Sequence, residues 1–277
     1  MIWLGTSSWS FVEWRGVFYA DNLPTGDMLR VYAGHFPTVE VNTSFYALPK
    51  PSTLLQWVES VPEGFRFALK FPRRISHEKR LVGCEAETLA YLDALHALGH
   101  AAAPGFLQLP PDFTRARAGR ELAAYLDWLA SVRRGLALAV EVRAPDLMTE
   151  AFAHFLAERG FALVLTDRVG TPDLRPLWEP EAAQVGMAFV RWIGDDRNGP
   201  KGDRELVAPQ DEKLDRWAAQ LSVWDAAGVT VFGYMHNPYE GHAPASVRRL
   251  GARLGERLPP WPVDPLPAES GPQLPLL

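Results

Sequence analysis

A single cysteine, Cys84, in a chain of 277 residues excludes an intrachain disulfide and leaves no second thiolate for a metal site. It reads as a small buried or loop thiol. Basic charge is scarce as well. With 28 Lys and Arg against 33 Asp and Glu the net charge is −5, so no general electrostatic attraction to nucleic acid or to an anionic membrane is expected. No apolar run approaches the length of a membrane span, and Met1 to Ser10 lacks the positive and apolar regions of a secretory signal. The expected compartment is the cytosol, with no membrane partner. Neither a G-x-G-x-x-G nor a G-x-x-x-x-G-K-[ST] phosphate loop follows the first strand pattern, and no H-E-x-x-H spacing occurs.

What the chain does have is alternation. Eight short β-rich runs are bounded by turn residues: Ile2 to Ser7, Thr38 to Asn42, Arg66 to Lys70, Phe106 to Leu109, Ala137 to Arg143, Ala162 to Asp167, Ala188 to Ile193 and Thr230 to Asn237. Helical spacing fills the intervals, as in Leu214, Trp217, Ala218, Leu221 and Trp224. Gly99, Gly135, Gly160 and Gly228 each close a helical pattern a few residues before a strand, so the helix-to-strand connections are tight. The segments that follow strands are long and polar at Ser8 to Asp27, Phe71 to Glu85 and Gly194 to Glu212. Long loops on one face and tight turns on the other describe a TIM (β/α)8 barrel, whose sites are built from the loops after the strands. An open doubly wound sheet is the alternative, and it lacks its phosphate loop here. The expected organisation is one barrel domain over 1–258 and a proline-rich tail over 259–277.

Parity within strands sorts the side chains. In Thr38-Val-Glu-Val-Asn42 the valines share one face and Glu40 and Asn42 the other; Leu138, Val140 and Val142 likewise oppose Glu141 and Arg143. The apolar face suits the helices, so the charged face points into the barrel. Collecting strand ends gives Ser7, Glu40, Asn42, Lys70, Gln108, Glu141, Arg143, Asp167, Arg191, His236 and Asn237 around one mouth. Loop aromatics Trp9, Trp14, Phe18, Tyr19, Phe45, Tyr46, Trp192 and Tyr239 surround them, whereas Trp57, Trp128, Trp217 and Trp224 fall on helical patterns and read as core.

Glu40 and Glu141 are the acid/base candidates: two carboxyls whose environments push their pKa values apart could serve as acid and base. The structural alternative is ion pairing with Lys70, Arg143 or Arg191. His77, in Arg73-Arg-Ile-Ser-His-Glu-Lys-Arg80, is a third proton-transfer candidate on a mouth-side loop. Trp9, Asn42, Tyr46, Lys70, Gln108, Arg143, Asp167, Arg191, His236 and Asn237 are expected to bind substrate. The ligand expected is a small molecule, phosphorylated or sugar-like. No cofactor is expected. A divalent metal held by His77, His236, Glu40, Glu141 and Asp167 is the alternative, although the spacing matches no metal motif.

Gly5-Thr-Ser-Ser-Trp9, Gly16-Val-Phe-Tyr19, Phe36-Pro-Thr-Val-Glu-Val-Asn-Thr-Ser-Phe-Tyr46, Phe67-Ala-Leu-Lys70, Ile75-Ser-His-Glu78, Leu107-Gln-Leu-Pro-Pro111 and Val140-Glu-Val-Arg143 together resemble the YecE-like proteins, domain of unknown function 72. The resemblance runs from Gly5 to about Leu250 and implies a TIM barrel without implying a reaction. The chain departs from that pattern twice. Ile193 stands where the family's seventh strand ends in histidine, and Met235-His236-Asn237 replaces the usual Phe-Asn-Asn. The expected function is acid/base chemistry of hydrolase or lyase type on a small anionic or hydroxyl-rich substrate. The alternatives are a non-catalytic metabolite- or nucleic-acid-binding module, and a metal-dependent phosphoesterase or nuclease.

Overall fold

Short β-branched and aromatic runs form the staves of a barrel. In the computed structural model, which describes residues 1–255, the strands are β1 (Ile2–Ser7), β2 (Thr38–Val41), β3 (Arg66–Leu69), β4 (Gly105–Gln108), β5 (Leu138–Glu141), β6 (Phe161–Arg168), β7 (Met187–Gly194) and β8 (Thr230–Met235). The paired strands run parallel in the order β3-β2-β1-β8-β7-β6-β5-β4. The two ends of that order meet. Bridges join Phe67 to Ala102 and Lys70 to Phe106, and the N–H of Phe71 donates to the carbonyl of Phe106 at 2.9 Å. This seam closes the barrel with fewer ladder bonds than the other strand pairs. The expected tail lies outside the described residues.

Helices follow every strand: α1 (Met28–Ala33), α2 (Pro51–Glu59), α3 (Glu85–Ala97), α4 (Arg115–Val132), α5 (Glu150–Glu158), α6 (Arg175–Val185), α7 (Asp211–Ala226), then α8 (Asn237–Glu240) and α9 (Ala243–Leu254) after β8. Thr114 and Thr149 cap α4 and α5 by accepting from Arg117 N–H (3.3 Å) and Phe152 N–H (3.2 Å). All four helix-closing glycines have positive φ. At Gly228 (φ +77°) the turn also returns the Val229 N–H to the carbonyl of Trp224 (2.9 Å), which sets the chain directly into β8.

The barrel interior is layered. A ring of aromatics forms the middle: Phe106 packs on Phe189, and Phe189 on Tyr234, each with centroids 5.3 Å apart. The Tyr234 hydroxyl lies 3.0 Å from that of Thr38, which donates onward to the Arg66 carbonyl. Buried hydroxyls are thereby satisfied within an otherwise apolar plug. Gly5 on β1 leaves no room for a side chain, since a Cβ would fall 2.0 Å from the Thr38 carbonyl oxygen. The layer above the plug, towards the C-terminal ends of the strands, is polar. The observed strands stop one or two residues before Asn42, Arg143 and His236, so those side chains stand on the rim, and Lys70 follows β3 directly, paired only through its bridge to Phe106.

Candidate functional site

The register places one polar residue after another on the inner face. Ser7 pairs with Glu40, Gln108 with Glu141, and Thr166 with Arg191. At the centre is Arg191, almost fully buried. Its Nε and Nη2 donate to Oε2 and Oε1 of Glu40 at 2.7 and 2.8 Å, and its Nη1 donates to Oε2 of Glu141. Arg143 Nε donates to Oε1 of Glu141 at 2.8 Å, and Asn42 Nδ2 donates to Oε1 of Glu40 (2.8 Å) and to Ser7 Oγ (3.0 Å). Both carboxylates have 0% exposure, and every one of their four oxygens accepts a charged or amide N–H. A bidentate guanidinium across two carboxylates is the arrangement that makes such burial tolerable.

Lys70 stands apart from this network. Its ammonium donates to Gln108 Oε1 (2.7 Å) and lies 4.3 Å from the centre of the Phe45 ring. Among the described residues it has no carboxylate within ion-pair distance. Ser44 fixes this corner, its hydroxyl lying 2.8 Å from the carbonyls of both Val41 and Lys70. His77 belongs to a turn of π-helix, Arg74–Glu78. Its ring packs edge-on to Phe45 with centroids 5.0 Å apart, and its Nδ1 lies 2.8 Å from Ser76 Oγ. Tyr46, 79% exposed, stands edge-on to Phe45 at the outer rim.

Electrostatics separate these groups. Burial pushes the Glu141 carboxyl up, but Arg191, Arg143 and Lys70 outweigh it and hold the pKa at about 2. Glu40 is likewise lowered, burial being overcome by Arg191 and His236. The two carboxyls are therefore both ionised, and the separation into a raised acid and a lowered base expected from sequence does not occur, because one guanidinium serves both. Arg191 moves the opposite way: burial disfavours its charge, and Glu141 and Glu40 raise its pKa despite that. Lys70 falls to about 8, first through burial and then through the neighbouring Arg191, with Glu141 and Glu40 opposing. His236 drops to about 4, burial being the largest cause; its Nε2 is 3.5 Å from Glu40 Oε1. His77 is lowered by burial and then by Lys70, Arg73 and Arg143.

Three expected ligand-binding residues face elsewhere. Asp167 lies on the outer face of β6 with Leu163 and Leu165, where it accepts from Trp217 Nε1 (2.9 Å) and Tyr239 Oη (3.0 Å). It lines a separate cleft of about 350 Å³ with Arg168, Arg175 and Lys213. Trp9 packs on Trp57 and Phe67 in the helix layer, at centroid distances of 5.2 and 6.4 Å. Asn237 uses its Oδ1 to accept the Ala243 N–H at 3.0 Å, tying down the start of α9. Among the loop aromatics, Trp14 is buried against Phe11, Phe18, Tyr19 and His242, and Trp192 against Trp217. Parity carried one strand further would have found Thr166 in place of Asp167. No pattern in the sequence marks Ser44 as the residue that seats Phe45 over Lys70. Among the described residues, no group of three or more His, Cys, Asp and Glu side chains is placed to hold a metal ion, and no helix is long and apolar enough to cross a membrane.

A closed parallel barrel with helices outside and a buried charge network at the C-terminal mouth defines a TIM-barrel protein. More particularly, residues 3–270 match the family described as "Protein of unknown function DUF72", and the chain belongs to that family. It is 30% identical over 278 residues to the UPF0759 protein YecE of Escherichia coli (strain K12), covering 94% of each chain. Among solved structures it is similar to a DUF72 family protein of Thermotoga maritima MSB8 (TM-score 0.72, 23% identity, 90% of this chain and 96% of that one). It is also similar to a DUF72 family protein of Enterococcus faecalis V583 (TM-score 0.71, 21% identity, 92% and 95%). The register that sets Arg191 opposite Tyr234 and Trp192 opposite Met235 brings His236 beside Ile193. An imidazole thus reaches the same sector of the mouth from the next strand.

Proposed function

We propose that the protein is an enzyme performing acid/base chemistry on a small anionic or hydroxyl-rich molecule held at the C-terminal mouth of the barrel. The observation that carries the reading is a charge imbalance. With Asp167 turned outward, the mouth holds three cations, Lys70, Arg143 and Arg191, against two carboxylates whose oxygens are already engaged. The surplus positive charge sits on Lys70, whose one hydrogen-bond partner among the described residues is the neutral Gln108. A ligand phosphate or carboxylate would supply the missing counter-charge in a site where burial strengthens the attraction. Glu40 and Glu141 then hold Arg191 and Arg143 in place, while Lys70, its pKa lowered to about 8, and His77, lowered by burial, are available to move protons. Phe45 and Tyr46 offer flat apolar surface for the uncharged part of the ligand.

The test is incubation with pooled phosphorylated and carboxylated metabolites, followed by mass spectrometry of both the supernatant and the protein. The expected result is a mass-changed product that disappears in Lys70→Met and is reduced in Arg143→Gln. A compound retained unchanged points to a binding module; neither conversion nor retention overturns the reading altogether.

A further inference from the structure

Resting on the mouth being an anion site, we infer that Lys70 is a covalent catalyst that forms an imine with a small anionic aldehyde or ketone. Three features outside the charge network lead there. First, only five of the 28 basic residues are lysine: Lys50, Lys70, Lys79, Lys201 and Lys213. The other two cations of the mouth are arginines, which are always charged and cannot act as nucleophiles, whereas a lysine can shed its proton and attack. Lys70 is the only one of the five that is buried, at 9% exposure.

Second, the amine is oriented by a neutral acceptor and an aromatic ring and not by a carboxylate at ion-pair distance among the described residues. The Gln108 amide oxygen takes one of its hydrogens at 2.7 Å, and the Phe45 ring lies 4.3 Å away. A desolvated amine beside other cations is the environment that activates a lysine nucleophile. The groups facing it from the surrounding elements are Glu40 on β2, Glu141 and Arg143 from β5, Arg191 on β7 and His236 just after β8, with His77 edge-on to Phe45. Its lowered pKa, about 8, leaves a usable fraction of free amine near neutrality.

Third, the arginines complete the site. An anionic group on the substrate meets Arg143, one-quarter exposed at the rim, while the carbonyl carbon reaches the amine below. The step balances without any further reactant. The amine lone pair bonds to the carbonyl carbon, and the carbonyl π pair moves to oxygen, which takes up a proton. The carbinolamine nitrogen then loses its hydrogen and the hydroxyl leaves as water, so that one amine and one carbonyl give one imine and one water. Protonated, the imine withdraws electrons from the adjacent carbon, which suits carbon–carbon cleavage or dehydration and narrows the expected chemistry to the lyase type. His77 is the nearby titratable group for those proton transfers.

The experiment is borohydride reduction of the full-length protein with pyruvate and, separately, with glycolaldehyde phosphate, followed by peptide mapping. A reduced adduct at Lys70, formed at least tenfold faster than at Lys50, Lys79, Lys201 or Lys213 and accelerating as pH rises through about 8, is the expected outcome. Labelling confined to the other lysines, or absent with both probes, overturns the inference. Calorimetry with inorganic phosphate and with pyruvate, without borohydride, separates this failure from that of the anion site: saturable binding without an adduct leaves the anion site standing, and no binding removes both. Lys70→Arg supplies the matching control, since it retains positive charge and should bind phosphate while losing the adduct.

Discussion

A carboxylate at Glu141 is tolerable only because Arg191 and Arg143 donate to it, and that dependence can be measured. Removing one partner of a buried ion pair typically costs about 3 to 5 kcal/mol, since the other charge is left uncompensated. Glu141→Gln is therefore expected to lower unfolding free energy at neutral pH by about 3 kcal/mol. The sign follows from the depressed pKa. The native carboxyl, at about 2, stays ionised below the range where the unfolded one protonates, so its contribution is complete above that range and is lost as pH falls through about 2. Denaturant unfolding of both proteins should show the difference shrinking with acidification. An equal difference at neutral and strongly acidic pH would refute the assignment. His236 acts through the opposite charge state. Its pKa of about 4 means the native imidazole stays neutral while the unfolded one protonates, so stability is complete above the ordinary histidine range and declines between there and about 4. His35, His77 and His242 are lowered too. His236→Asn should thus make the fall in melting temperature over this interval shallower without abolishing it; an unchanged slope would contradict the burial argument.

Between elements, close approach and turn conformation set different penalties for the same substitution. Gly228→Ala meets no atom within 4 Å but must hold φ +77°, which costs about 1 kcal/mol. Gly5→Ala drives a methyl group against the Thr38 carbonyl between β1 and β2, where nothing flexible can yield, so a loss of about 3 kcal/mol is expected. Comparable melting temperatures for the two variants would show that the β1–β2 spacing is less fixed than the packing implies. The elements themselves were legible from sequence because each rests on a local signal: Val39 and Val41 alternating with Glu40, and Gly228 closing α7 before β8. The observed strands end slightly earlier than expected, with Asn42, Arg143 and His236 lying just past the ladders and Lys70 in an isolated bridge to Phe106. Inner-face side chains continue onto the rim after backbone pairing has stopped, and parity alone does not distinguish the two. Asp167 departs from the expected mouth for a related reason: it stands at a strand end but shares its face with Leu163 and Leu165.

For the whole molecule, the β3–β4 seam is where closure is thinnest. Its amides, including those of Phe71 and Ala103, rely on a few bridging bonds, whereas β7 and β8 pair over six consecutive residues. Hydrogen exchange should accordingly release the seam amides before those of β7 and β8. Protection as strong at the seam as in β7 would overturn that ranking. The seam lies beside Lys70 and Gln108, so opening there would loosen the lysine corner before the Arg191 network.

The sequence by itself determined the alternation, the barrel, the family and the gathering of Glu40, Lys70, Glu141 and Arg191 at one end, because periodicity and parity are properties of the local chain. Which charges meet which was decided only by the tertiary structure. A single guanidinium bridges carboxylates from strands far apart in sequence, and among the described residues Lys70 is left without a carboxylate at ion-pair distance. Those distances arise from the rolling of the sheet, which brings together segments that no local pattern relates.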